Sequence, residues 1–339
     1  AGIKGLPDLL ATSPFESMWN GIGRHFQDPR LRQLFGRYAT YCGSSPFLSP
    51  ATLMLIAHVE QDGVWMVDGG MHALAQAFAK AAESKGAQIK YGAHVQKITR
   101  VAKGFVVETA QGEVFHADKI VFNGDANALA RGFLGDDLRG GAPSTSIHQR
   151  SLSAVTCTIK TRTQGFPLIR HNVFFSNDYR AEFDALQSGS LNYDPTVYVC
   201  AQDRGDDDAE LHQSERLLLL VNAPALGDQK SLSDAEIDQC MMRMMARVEA
   251  CGLKIDQMPE RRHITTPQDF NQLFPATGGA IYGRATHGWR ATFTRPGVRS
   301  TIPNLYLAGG SVNPGAGIPM AALSGLTAAA CLMQDRTSP

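Results

Sequence analysis

The sequence predicts a mixed α/β fold. Three observations carry that expectation: helical apolar spacing through the first sixty residues, an antiparallel meander of alternating residues between 93 and 122, and a strand, a glycine-rich turn and a helix within residues 305–333. With 339 residues, 43% hydrophobic and 19% charged, the chain can bury a core as one large or two interleaved domains. Its 32 basic and 32 acidic side chains cancel, so no overall field draws it to nucleic acid, and no nucleic-acid partner is expected. Cys42, Cys157, Cys200, Cys240, Cys251 and Cys331 are scattered without a CxxC pair, which fits buried reduced thiols in a cytoplasmic protein better than a disulfide or zinc framework. The ten histidines show no metal-ligand spacing, and no metal is expected.

The elements follow in order. Leu31, Leu34, Phe35 and Tyr38, then Leu53, Ile56 and Ala57, recur at helical spacing and predict helices over 28–41 and 50–60. Asp68, Gly69 and Gly70 make a turn. Met71, Leu74, Ala75 and Phe78 then line one face of a helix that Gly86 stops, and 88–91 is strand-like. Turns at Lys103-Gly104 and Gln111-Gly112 divide the meander into three short strands, with a fourth, buried strand over 119–122. After a polar loop, strands are expected over 151–160, 172–176, 196–201 and 216–222, and Ser233 with Glu236 makes a capping box for a helix over 234–250 that Gly252 ends. The acidic run "DRGDDDAE" (203–210) reads as a solvated loop; it lacks the ligand alternation of a calcium loop. The longest central apolar run, 217–221, is far short of the ~18–20 residues a membrane span needs. The first residues carry no secretory signal pattern, and with no initiator Met the chain reads as beginning inside something longer.

The turn after the last strand, "LAGGSVNPGAGIPM", places Gly309, Gly310, Gly315, Gly317, Pro314 and Pro319 between strand and helix. Glycines let a ligand approach the backbone, and a helix start with Pro319 in its first turn presents free N–H groups and partial positive charge. The pattern suits a flat anionic group; a tight turn packing a helix on a sheet is the alternative. No HExxH, P-loop or GxSxG motif supports hydrolysis.

The stretches "LYLAGGSVNPGAGIPMAALSG", "DGGMHALAQAFAKAAESKGAQIKYGAHVQKI" and "DFNQLFPATGGAIYGRATHGWRATFTRPG" resemble the flavin-dependent carotenoid desaturases of the phytoene desaturase type, and within them the hydroxycarotenoid 3,4-desaturase (methoxyneurosporene dehydrogenase) branch. The first two are also similar to amine oxidases and protoporphyrinogen oxidases. The resemblance covers nearly the whole chain and implies FAD as cofactor. It places Val95 at the adenine, Gly309, Gly310 and Ser311 by the pyrophosphate and ribitol, and Gly317, Ile318, Pro319 and Met320 beside the isoalloxazine. It implies dehydrogenation of a carotenoid, with a hydride passing to the flavin and a proton to a base or water. His287 is the candidate base or orienting residue, against the alternative of a hydrogen-bonded structural histidine; Trp289, Arg290 and Arg295 lie near it.

The family opens with a strand, GxGxxG and a helix that hold the FAD pyrophosphate. "GIGRHF" at Gly21 does not supply that motif, so the chain reads as the C-terminal two-thirds of a desaturase that lacks most pyrophosphate contacts, with FAD absent from this chain as one reading. The expected organisation is 1–60 as a helical part of the substrate domain, 61–135 and 300–339 as parts of an incomplete FAD-binding domain, and 136–299 as a substrate domain over a mixed sheet. An apolar carotenoid partner implies peripheral attachment to the cytoplasmic membrane face, with 47–59 the candidate surface, although those residues also fit a buried core helix. Two further readings stay open: another flavin oxidase of the amine oxidase superfamily, and a non-catalytic apolar-ligand or membrane-associating protein lacking the dinucleotide module.

Overall fold

The computed structural model describes residues 11–205, 214–256 and 262–337. Helix α1 (Met18–His25) starts at Ser17, whose hydroxyl accepts from the Asn20 amide. Helix α2 (Pro29–Gly36) starts at Asp28, which accepts from the Arg30 amide, with proline where no amide is needed. Met18 and Ile22 bury against Ala39, closed over by Phe26, Phe35, Tyr38 and Leu53. The helix expected over 28–41 is α2 followed by a tighter 3₁₀ turn, Arg37–Cys42, which Gly43 ends in the left-handed region at φ 59°. The helix expected over 50–60 likewise divides into a 3₁₀ turn, Ala51–Met54, and α3 (Leu55–Gln61). No residue of α3 is fully buried by the described residues; Ile56 and Ala57, on the predicted apolar face, are half-buried.

Helix α4 (Gly70–Ser84) follows the glycine turn and stops before Gly86, as its pattern requires. Its apolar face is uncovered by the described residues: Met71 and Phe78 are 53% and 62% exposed. Residues 88–91 form no strand, because every one of them is exposed and none finds a neighbour to pair with. The meander forms as expected from β1 (Val95–Arg100), β2 (Phe105–Thr109) and β3 (Val114–Ala117), with Gly104 and Gly112 at positive φ in its turns. Strand β4 (Ile120–Phe122) is half-buried rather than buried and leaves the meander, and α5 (Ala126–Ala130) follows, capped by Asp125.

The central body comprises β5 (Ser153–Thr161), β6 (Thr163–Gly165), β7 (His171–Phe174), α6 (Tyr179–Gln187), β8 (Val197–Ala201), β9 (Glu215–Ala223), α7 (Asp234–Ala250), β10 (Leu253–Ile255), β11 (His263–Thr265) and α8 (Pro267–Leu273). Five of these strands make one sheet in the order β11-β5-β9-β8-β7, antiparallel at every pairing rather than the mixed sheet expected. Strand alternation divides its residues between two faces. Val155, Val199, Leu217 and Leu219 point into a core sealed by Met241, Met244 and Val248 of α7. Ser233 and Glu236 cap α7 reciprocally, as the sequence indicates. The opposite face, with Val173, Tyr198, Cys200, Leu218 and Leu220, stays half-buried. In the acidic run, Asp203 pairs with Arg216 and Arg204 with Glu215, while 206–210 lie outside the described residues. Among the described residues no cluster of three or more His, Cys, Asp or Glu could hold a metal.

Two last elements complete the fold, β12 (Leu305–Leu307) and α9 (Ile318–Thr337). Strand β12 pairs with β4 in parallel, Leu305 opposite Ile120 and Leu307 opposite Phe122. Leu305, Leu307 and Val312 share a core with Ile98, Phe105, Leu129 and Leu138, which ties the chain's end to the meander.

The two-faced reading of the central sheet has a direct check. Leu219→Ala, on the sealed face, should cost about 2–5 kcal/mol in denaturant unfolding, and Leu218→Ala, one residue away on the half-open face, under about 1.5 kcal/mol. Equal costs would contradict the register.

Candidate cofactor turn and substrate face

Parallel pairing brings the C-terminal ends of β4 and β12 to the same edge, the place where open α/β sheets bind ligands. Residues 123–125 and 308–312 therefore lie side by side. Gly309 has φ 112°, and a Cβ there would stand 2.7 Å from Asn123 Oδ1, so only glycine fits without displacing that side chain. Its amide donates to Ser324 Oγ at 2.8 Å, and Ser324 Oγ donates to the Ala321 carbonyl at 2.6 Å, fixing the turn to the first turns of α9. The Ala126 amide donates to Ser311 Oγ at 3.3 Å. Gly283, at φ 67°, approaches Ser311 so closely that a Cβ would sit 2.8 Å from the serine Cβ.

At the start of α9 the Ala321 amide donates to the Gly317 carbonyl at 2.9 Å. Among the described residues no side chain accepts from the amides of Ile318 or Met320. Gly317 has φ 103° and open space where a Cβ would be. Bared amides, partial positive charge and absent side chains are the donor set a phosphate- and carbonyl-bearing ring system needs. The turn therefore fits a flavin.

A buried cation holds this turn in place. The Arg295 guanidinium donates to the carbonyls of Tyr282 (3.0 Å), Gly310 (3.0 Å) and Arg284 (2.7 Å). Burial pulls its pKa down, while the nearby Cys42 and Asp125 oppose that shift. Asp125 is itself pushed up by burial, against the Asn127 amide and the Arg295 charge. The loop around Tyr282 is sewn in turn to the helical part and to the start of β5: Thr286 N donates to Ser44 Oγ (2.8 Å), Tyr282 N to Ser151 Oγ (3.0 Å) and Gly288 N to the Leu48 carbonyl (2.8 Å).

The candidates from the sequence fall into three places. Gly309, Gly310 and Ser311 form the clamped turn. Gly317, Ile318, Pro319 and Met320 stand exposed at the head of α9, and Val95 opens β1, packed against the core that Leu307 and Val312 share. His287 stands apart. Its Nε2 accepts from the Ser45 amide at 3.0 Å, and it lines a separate cavity of about 370 Å³ with Ser45, Leu48, Arg150 and Phe183. Burial holds it neutral, with its pKa brought down to about 4. That is the geometry of the hydrogen-bonded structural histidine. Sequence reasoning missed Asn123, Asp125 and Ser324, single polar residues whose importance depends on the β4–β12 pairing. It placed Arg295 nearby without the clamp.

Residues 20–333 match the flavin containing amine oxidoreductase family, and the chain belongs to it. It is 52% identical over 341 residues to the hydroxyneurosporene desaturase of Rubrivivax gelatinosus, covering 99% of this chain and 65% of that protein. It is 43% identical to the protein of the same name from Cereibacter sphaeroides, covering 92% of this chain and 63% of that one. With the 1-hydroxycarotenoid 3,4-desaturase of a Flavobacterium species it shares 31% identity, over 89% of this chain and 62% of that protein. The chain thus spans slightly less than two thirds of the length of these relatives. A putative protoporphyrinogen oxidase from Exiguobacterium has the same fold, with a TM-score of 0.55 at 15% identity over 92% of this chain and 67% of that one. An oxidoreductase from Methanosarcina mazei gives 0.53 at 12% identity, over 96% of this chain and 72% of that one.

Two measurements test the geometry. Gly309→Ala should destabilise the protein by about 1–3 kcal/mol, and Asn123→Ala in the same chain should return part of that loss; a neutral Gly309→Ala would show the turn to be built differently. His287, whose folded pKa lies near 4 against an ordinary 6.5, takes a proton in the unfolded chain first. Stability should be full above pH 6.5 and fall as pH drops toward 4, by up to about 3 kcal/mol, and His287→Gln should flatten that slope in denaturant titrations across the window.

Proposed function

We propose that the polypeptide to which these residues belong removes two hydrogens across C3–C4 of a 1-hydroxy or methoxy carotenoid, with FAD as cofactor, in carotenoid biosynthesis. The observation that carries this reading is the turn of bared amides at the shared edge of β4 and β12. The names of the relatives support the substrate class. Gly309, Gly310 and Ser311 would hold the pyrophosphate and ribitol, Val95 the adenine, and Gly317, Ile318, Pro319 and Met320 the ring. Bound flavin supplies a two-electron acceptor.

The residues of this chain orient and shield. Arg295 fixes the loop of Tyr282 against Gly310, which sets the distance between the cofactor turn and the loop that faces the central sheet. Val173, Leu218 and Leu220, half-buried on the sheet's open face, offer an apolar surface along which a polyene can lie. A substrate of this kind is drawn from lipid. Leu55 and Val59 on α3, with Val64 and Trp65 after it, are 47%, 63%, 73% and 81% exposed, which supports peripheral attachment to the cytoplasmic membrane face. No helix among the described residues is long and apolar enough to cross a membrane.

The test is conversion. The complete gene product, given FAD and a hydroxylated acyclic carotenoid in liposomes, should yield a pigment two hydrogens lighter that absorbs at longer wavelength. A flavin-loaded protein that leaves the carotenoid unchanged and oxidises an amine instead would contradict the reading.

A further inference from the structure

Register fixes which side chains share the open face of the central sheet. His171 lies opposite Cys200, Cys200 opposite Leu218 and Leu218 opposite Thr158, which makes one row across β7, β8, β9 and β5. Val173, Tyr198 and Leu220 make the next row. His171 and Tyr198 are therefore diagonal neighbours on adjacent strands. Their rings stack with centroids 6.1 Å apart and 18° between planes, and the Tyr198 hydroxyl bonds His171 Nδ1 at 2.7 Å. His171 is exposed and Tyr198 half-buried, so a molecule lying on this face meets both.

Partial desolvation lowers the His171 pKa and burial raises that of Tyr198, so the imidazole is neutral and the phenol keeps its proton. Such a pair shares one hydrogen. Whichever partner donates it, one donor and one acceptor are left over: Nε2–H with the phenol oxygen, or the phenol O–H with Nε2. Among the described residues nothing bonds His171 Nε2. The pair is also far from the reacting bond. Ser151, which accepts from the Tyr282 amide beside the cofactor turn, and Thr158, in the row of His171, are separated by roughly 20 Å at a strand's rise per residue. In the desaturation proposed above, the C1 oxygen is a few bonds from C3–C4 and stays with the flavin. What reaches His171 and Tyr198 is the opposite arm of the polyene.

We infer that His171 and Tyr198 form a remote specificity site that binds a second hydroxyl, carried on the arm of the polyene opposite the bond being desaturated. This rests on the carotenoid reading above and adds which oxygenated polyene the protein prefers. A hydroxyl is itself one donor and one acceptor, so it matches both groups the pair leaves over. A hydrocarbon arm laid across them strips their water and returns no hydrogen bond.

The experiment gives the complete gene product, loaded with FAD, an equal mixture of two acyclic polyenes in liposomes and follows the ratio in which they are consumed. Both polyenes carry the C1 hydroxyl, and only one carries a second hydroxyl at the far end. The wild type should consume the dihydroxylated polyene about three- to tenfold faster, the worth of one or two matched hydrogen bonds on a half-open face. Tyr198→Phe should bring that ratio close to one; a purely structural role would slow both polyenes alike and leave the ratio where it was. Should Tyr198→Phe fail to fold, His171→Phe removes the other half of the pair and should lower the ratio in the same way. A ratio near one in the wild type overturns the inference, as does the full wild-type ratio in either folded variant. A flavin-loaded wild type that consumes neither polyene overturns the carotenoid reading and the remote site with it.

Discussion

Three residues of β4 lie in parallel register beside three residues of β12, and the arrangement of the site depends on that pairing. Without it, the loop after Phe122 and the turn after Leu307 would have no reason to meet. A two-stranded parallel sheet is weak in isolation, since parallel strands normally lie inside larger covered sheets. Here the pair is held by what lies around it: Leu305 and Leu307 bury in the core that Ile98, Phe105 and Leu129 also fill. The hydrogen bonds of Ser324 and Ser311 lock the turn from the other side.

Arg295 couples this edge to the rest of the molecule. By donating to carbonyls on both sides of the gap, it makes the Tyr282 loop and the Gly310 turn one rigid unit, and the loop's own bonds to Ser44 and Ser151 carry that rigidity to the helical part and the central sheet. The half-open face of the sheet and the bared amides of α9 are thereby fixed relative to one another. A long apolar substrate and a flat cofactor require that relationship, because binding energy far from the reacting bond counts only when both ends are held.

Much of this was legible in the sequence where the signal is local. Alternation with Gly104 and Gly112 gave the meander, the Ser233–Glu236 box gave the start of α7, and the glycines after Leu307 gave the turn. The parts that were not legible share one cause, dependence on distant neighbours. Strands β6, β10 and β11 have three residues each, too few to show a period, and exist because a partner strand accepts them. The apolar faces of α3 and α4 could be read from spacing, but spacing does not say what covers a face, and the described residues bury no residue of either helix fully. The parallel partner of β4 lies far along the chain, so the pairing could not be read from the residues around Ile120. Asn123 looks like an ordinary polar residue until the fold sets Gly309 against it.

The central claim, that the backbone amides of Gly310, Ser311, Ile318 and Met320, free among the described residues, receive a flavin, is tested most directly by hydrogen exchange on the complete gene product with and without added FAD. The expected result is slowed exchange at the amides of Gly310, Ser311, Ile318 and Met320 when FAD is bound, with the sealed face of the central sheet unchanged. Flavin bound at stoichiometric level with no protection anywhere in that turn would contradict the account.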